Sequence, residues 1–203
     1  MHLSSPYEKP ITATTARAWP FPVLESFSCA NCEHRVLHFD CAVAAYRSRG
    51  LVRQLVHQFK YAKQRYLRHP LAGWLRETLH DPRLRGRHFD LIVPVPLHPA
   101  RERERGFNQA ELLADLLAGS THLPMRDVLE RIRHTTTQTA YDRAERMENL
   151  HGAFRLRKNR DVRGLHVLLI DDVLTTGSTL SECARVLRKA GAVSVHAATA
   201  ARA

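Results

Sequence analysis

The chain has 203 residues and is 44% hydrophobic, enough to bury the core of one domain of ordinary size. Lys and Arg number 31 against 20 Asp and Glu, a formal charge of +11, which favours phosphorylated small molecules, nucleic acid or an acidic membrane surface over acidic partners. No run approaches the roughly 18 to 20 apolar residues that a membrane-spanning helix needs, so membrane insertion is not expected.

Residues 1–28 hold Pro6, Pro10, Pro20 and Pro22 and no continuous apolar run. They read as irregular and carry no recognisable secretory signal, which makes the cytoplasm the expected compartment. Cys29, Cys32 and Cys41 follow as a cluster. In a reducing compartment such a cluster points to metal or to chance, rather than to disulfides. Two amphipathic stretches come next. Val52, Leu55, Val56 and Phe59 share one helical face, with Arg53, Lys60 and Lys63 off it. Leu67, Leu71, Trp74, Leu75 and Thr78 share another.

Asp90 to Pro96 reads as a short buried strand stopped by its prolines, and the charged stretch 97–106 as a loop. Ala110, Leu113, Ala114 and Leu117 form a helical stripe, with Gly119 as the expected C-cap. Residues 131–160 are polar and basic with little periodicity and read as an exposed loop or hairpin. Val167 to Ile170 is fully apolar, as a parallel strand covered on both faces must be. Leu180, Cys183, Ala184 and Leu187 mark a helix ended by Gly191, and residues 193–199 a last strand. This order predicts an α/β domain with a mainly parallel sheet flanked by helices over residues 46–203. Residues 1–45 are expected to be an N-terminal extension with a partial zinc knuckle.

The strand at Val167 runs into Asp171, Asp172, Val173, Leu174, Thr175, Thr176, Gly177, Ser178 and Thr179. Ligands of open α/β sheets sit at the carboxyl ends of strands. Two adjacent acids there call for cations or hydroxyl donors. A small-residue turn opening a helix offers backbone N–H groups to a phosphate.

This segment resembles the signature for 5-phosphoribosyl-1-pyrophosphate (PRPP) of type I phosphoribosyltransferases. The resemblance implies a type I phosphoribosyltransferase-like fold. It implies that Asp171 and Asp172 contact the ribose hydroxyls and share Mg²⁺ with PRPP, and that Thr175, Thr176, Gly177, Ser178 and Thr179 hold the 5-phosphate. Residues 93–110, with Pro94-Val95-Pro96-Leu97-His98 and Arg105-Gly106-Phe107-Asn108-Gln109, are similar to a block of the ComF family, phosphoribosyltransferase-like proteins linked to DNA uptake in competent bacteria. A third block, from Arg131 through Gln138, Arg143, Arg146 and Asn149 to Phe154, resembles that family too.

Arg105 is the candidate pyrophosphate contact, since guanidinium forks match phosphate oxygens. Arg101 and Arg103 read as a solvated face beside Glu102 and Glu104, and His98 as a turn histidine. The resemblance implies a hood over residues 131–160, with Gln138, Arg143 and Arg146 as candidate contacts. A solvated basic loop and a strip tracking a nucleic-acid backbone are the other readings of that segment.

Cys29-Ala-Asn-Cys32 has zinc-knuckle spacing. The family's N-terminal zinc ribbon has two such pairs, whereas here no pair lies upstream and Cys41 has no partner at that spacing. The pair is either half of a zinc site or an inert remnant. Cys183 reads as core.

The implied function is phosphoribosyl transfer from PRPP to an acceptor that the sequence does not identify. The rival reading is a non-catalytic competence factor that binds single-stranded DNA and works with the DNA-uptake machinery.

Overall fold

The computed structural model describes residues 36–61, 64–133 and 150–203. Its strands are β1 (Cys41–Arg47), β2 (Leu91–Pro94), β3 (Leu129–Arg131), β4 (Phe154–Leu156), β5 (His166–Leu174) and β6 (Ser194–Arg202). Four of them form one sheet in the order β1-β6-β5-β2, and every pairing is parallel. The apolar runs dictate this arrangement. β5 and β6 are buried almost throughout, which only a position inside a sheet covered on both faces allows. β2 is short because Pro94 and Pro96 cannot donate to a ladder.

The helices are α1 (Gly50–Tyr61), α2 (Arg68–Thr78), α3 (Pro99–Arg105), α4 (Gln109–Thr121) and α5 (Ser178–Lys189). Alternation along the strands sends successive side chains to opposite faces. Leu168, Ile170, Ile92 and Ala198 pack with Val56, Phe59, Leu71, Leu75, Leu113 and Leu117 from α1, α2 and α4. Val167, Leu169, Val93 and Ala197 pack on the opposite face with Leu180, Cys183 and Leu187 of α5 and with Phe154 of the antiparallel β3–β4 hairpin. The observed layers are those of a phosphoribosyltransferase-like α/β domain.

Several boundaries differ from the sequence reading, each for a local reason. The stretch 97–106 is not all loop. Pro99 opens α3, the His98 ring nitrogen accepts from the Ala100 N–H at 3.2 Å, and Gly106 closes the helix at φ 82°. A seven-residue charged helix has no apolar stripe to betray it. Gly119 does not end α4, which runs on to Thr121 and turns at His122, with φ 57°. β5 continues through both acids to Leu174. β1 lies across the expected division at residue 45 and joins the sheet beside β6. Gly191 does follow the helix it was expected to end. Its φ is 97°, and a Cβ there would meet the Arg163 side chain at 2.8 Å.

Cys41 belongs to β1. It is buried, and burial pushes its thiol up to about 11, away from the thiolate a metal needs. Cys183 is fully buried on α5, as expected. Among the described residues no group of three or more His, Cys, Asp or Glu could hold a metal ion. Cys29 and Cys32 lie outside the described residues.

Candidate phosphoribosyl site

The carboxyl end of β5 carries the acids. Asp171 pairs in register with Thr199 of β6, and its Oδ1 accepts the Asp172 N–H at 2.8 Å. Burial raises the Asp171 carboxyl to about 7, the Asp172 charge adds to that rise, and Lys60 opposes it. Asp172 is itself buried, and its Oδ2 lies 2.9 Å from Lys60 Nζ at the end of α1. Burial works against the Lys60 ammonium, but Asp172 and Asp171 outweigh it and hold its pKa above the ordinary lysine value.

The turn after β5 leads straight into α5. Gly177 occupies the N-cap position at φ 78°, a conformation that other residues adopt only with strain. It brings no side chain to the N–H groups of the first turn, which lack intrahelical acceptors. Thr176 and Ser178 share a hydroxyl–hydroxyl hydrogen bond of 2.9 Å beside them. Thr175 is exposed, Thr176 and Thr179 are half-buried, and Ser178 is buried. Hydroxyls and first-turn N–H groups at the positive end of a helix of 12 residues make an anion cradle, in which the Ser178 N–H leans on Thr176 Oγ1 at 3.4 Å.

The segment after β2 faces the same space. Asn108 ties it down: its side-chain amide donates to the Val95 carbonyl at 3.1 Å, and its Oδ1 accepts the Ala110 N–H at 3.1 Å, capping α4. Lys60, Tyr61, Arg101, Glu104 and Arg105 line one cleft there. The Arg105 guanidinium sits 5.2 Å from the centre of the Tyr61 ring, within electrostatic reach of Lys60. Arg65 donates to the Gly106 carbonyl and lies over Phe107, 5.1 Å from its centre.

Of the residues expected from sequence, the structure brings Asp171, Asp172, Thr175 to Thr179 and Arg105 to one end of the sheet. Arg103 is exposed, in keeping with a solvated face. Arg101 departs from that reading, because it is half-buried in the cleft. Gln138, Arg143 and Arg146 lie outside the described residues.

Lys60, Tyr61 and Arg131 were not among the site residues expected from sequence. Lys60 pairs with an acid 112 positions away, and nothing local announces that. Arg131, 5.4 Å from the centre of the Phe154 ring, has its pKa lowered by burial and stands within electrostatic reach of Arg101 and Asp171. No described helix is long and apolar enough to cross a membrane.

Over residues 86–203 the sequence matches the family described as phosphoribosyl transferase domain. Competence protein F of Haemophilus influenzae is 34% identical over 168 residues, covering 80% of this chain and 73% of that protein. DNA utilization protein YhgH of Escherichia coli is 39% identical over 145 residues, covering 70% of this chain and 63% of its own length. Competence protein ComFC of Bacillus subtilis is 40% identical over 114 residues, which cover 56% of this chain and 44% of ComFC. By the matched domain and by this identity to competence protein F, the chain belongs to the ComF family and carries its phosphoribosyl transferase domain.

Proposed function

We propose that the site binds PRPP, or another ribose carrying phosphates, together with Mg²⁺, and transfers the phosphoribosyl group to an acceptor. The observation that carries this is the single strand–turn–helix holding both the Asp171–Asp172 pair and the open N-terminus of α5. A ribose bearing a 5-phosphate spans those two features. Its hydroxyls would donate to the carboxylates. Its phosphate would accept from the first-turn N–H groups of α5 and from the hydroxyls of Thr175, Thr176, Ser178 and Thr179.

Arg105 would meet the pyrophosphate, with Gln138, Arg143 and Arg146 as further contacts. Mg²⁺ fits as a shared ion. Asp171 and Asp172 offer a carboxylate pair strained by mutual repulsion, and the remaining ligands would be oxygens of PRPP. When bound, the ion neutralises the charge of the departing pyrophosphate. The bond from ribose C1 to the pyrophosphate oxygen breaks, the oxygen keeps the electron pair, and the acceptor's lone pair forms the new bond at C1. Asp171 and Asp172 orient the ribose and face the positive charge that develops on it.

The test is a melt with PRPP and Mg²⁺. At a ligand excess of about 100 times Kd, stabilisation near 2.7 kcal/mol is expected. For a chain of this size that is a rise of roughly 5 to 10 °C. The double variant Asp171→Asn, Asp172→Asn is expected to lose the rise. No rise in the wild-type chain, and no heat on titrating PRPP by calorimetry, would sink the proposal.

A second reading, handling of single-stranded DNA, is favoured by two exposed tyrosines that flank the end of α1 in sequence. Tyr61 and Tyr66 are 60% and 65% exposed, beside Arg65 and Arg105. Exposed rings among arginines can stack on bases while the cations track phosphates. The relatives' names, competence protein and DNA utilization protein, point the same way. Affinity for a single-stranded oligonucleotide is expected to fall steeply as salt rises, and to drop in the Tyr61→Ala, Tyr66→Ala double variant. It is expected to persist when the two acids are substituted. Undiminished binding by the tyrosine variant removes this reading. The cytoplasm is the compartment both readings require.

A further inference from the structure

We propose that Lys60 is a positioning residue of the phosphoribosyl site: it is the resident counter-ion of Asp172, and it keeps divalent cations off the carboxylate pair until they arrive with the ligand. This rests on the reading of Asp171 and Asp172 as the ribose and metal carboxylates, and it adds to that reading an element from outside the matched domain. The family match begins at residue 86, whereas Lys60 lies in the last turn of α1, which closes at Tyr61.

Three observations carry the inference. Lys60 Nζ lies 2.9 Å from Asp172 Oδ2, with side-chain exposures of 22% and 4%. An ion pair so shielded persists in solution far better than one on the surface. The lysine is anchored, because Val56 and Phe59 of the same helix are buried and Phe59 leans on Phe107 with ring centres 5.5 Å apart. The protein's own donors are also few. Among the described residues no third His, Cys, Asp or Glu joins the two acids in a metal-binding group. A divalent cation entering alone would have to displace an ammonium from one carboxylate and would find only two carboxylates to bind. One arriving with phosphates brings its remaining oxygens along.

The placement also explains why the last turn of α1 reaches the site at all. Tyr61, next to Lys60, supplies the ring over which Arg105 lies, so this one turn positions both an acid and a cation. Lysine suits the task because an ammonium is a compact point charge on a flexible stem, able to swing aside when a metal–phosphate complex takes its place.

The test uses Mn²⁺ as a spectroscopic stand-in for Mg²⁺, titrated without nucleotide into the full chain at about pH 8 and followed by electron paramagnetic resonance. The wild-type chain is expected to bind it weakly. Lys60→Met is expected to bind it at least about tenfold more tightly, because removing a unit charge 2.9 Å away strips the main competitor from Asp172. Lys60→Arg, which restores the charge, is expected to return towards wild type. Adding Asp172→Asn to Lys60→Met is expected to erase the gain.

Equal Mn²⁺ affinity in wild type and in folded Lys60→Met overturns the proposal, and so does a gain that survives Asp172→Asn. Circular dichroism checks that each variant is folded. If Lys60→Met does not fold, Lys60→Gln, which is shorter and neutral but polar, is titrated instead and decides on the same criteria. Because these titrations contain no PRPP, their outcome is separate from that of the PRPP melts. The Lys60 proposal can fail while PRPP still binds, and PRPP binding can fail while Lys60 still excludes the metal.

Discussion

Without ligand, Asp171→Asn is expected to melt higher than the wild-type chain at about pH 8, while losing most of its response to PRPP. Asp171 is partly buried and stands next to the charged Asp172, so its ionised form is disfavoured and its carboxyl is raised to about 7. At 1.36 kcal/mol per pKa unit, a rise of about three units corresponds to at most about 4 kcal/mol against the charged form. Water at this partly exposed position reduces that, and a gain of about 2 kcal/mol on neutralisation is the expected scale. For a chain of this length that amounts to roughly 4 to 8 °C.

The sign follows from linkage. A carboxyl whose folded value lies above its unfolded value adds no penalty below about pH 4, adds a growing one from about pH 4 to pH 7, and adds the full penalty above. The difference between variant and wild type should therefore close as pH falls towards 4. Asparagine keeps the Oδ1 that accepts the Asp172 N–H, so the local turn survives. Calorimetric melts at about pH 4.5, 6 and 8 check this. A variant that melts at or below wild type at pH 8 removes the claim that the acid pair is held under electrostatic strain. Sites that bind charged ligands commonly carry such a cost in stability.

The larger loss of stability belongs to α1. Phe59 is fully buried and packs at a tilt against Phe107, in the cluster that covers one face of the sheet. Truncating a buried phenylalanine to alanine removes its transfer energy and leaves a cavity, typically at a cost of 3–5 kcal/mol. Phe59→Ala is expected to lower Tm by roughly 10 °C. Because Phe107 follows Gly106 and carries Arg65 on its face, the loss extends to the contacts that hold Arg65. Phe59→Leu, which refills most of the volume, is expected to recover more than half of the loss. Equal destabilisation by the two substitutions would place the cost in something other than packing. Phe59 also sits one residue before Lys60, so the alanine variant is expected to weaken PRPP binding beyond what its lower stability explains.

The second prediction turns on a contact between distant parts of the chain. α1 precedes the matched domain, yet it closes over the carboxyl end of β5 and gives Asp172 its counter-ion. The acids, the phosphate turn and Arg105 all lie within the segment from β2 to α5, where local chemistry announces them. The residue that holds one of the acids in place does not.

The sequence by itself determined the elements whose physics is local. The apolar run before Asp171 can only be an inner strand, because its side chains are buried on both faces. The small residues from Thr175 to Thr179 must form a turn into a helix, because Gly177 accepts positive φ there. The period of the stripes at Val52 and at Leu67 marked α1 and α2, and the two prolines stopped β2. Helix α3 was not legible, since its seven residues, five of them charged, show no apolar face, and its ends rest on a histidine cap and a glycine.

The tertiary structure alone decided the strand order, the place of β1 beside β6, and the meeting of Lys60 with Asp172. Hydrogen bonding between strands and pairing of buried charges select partners by position in space. Nothing in the neighbours of Lys60 along the chain records which carboxylate it will face.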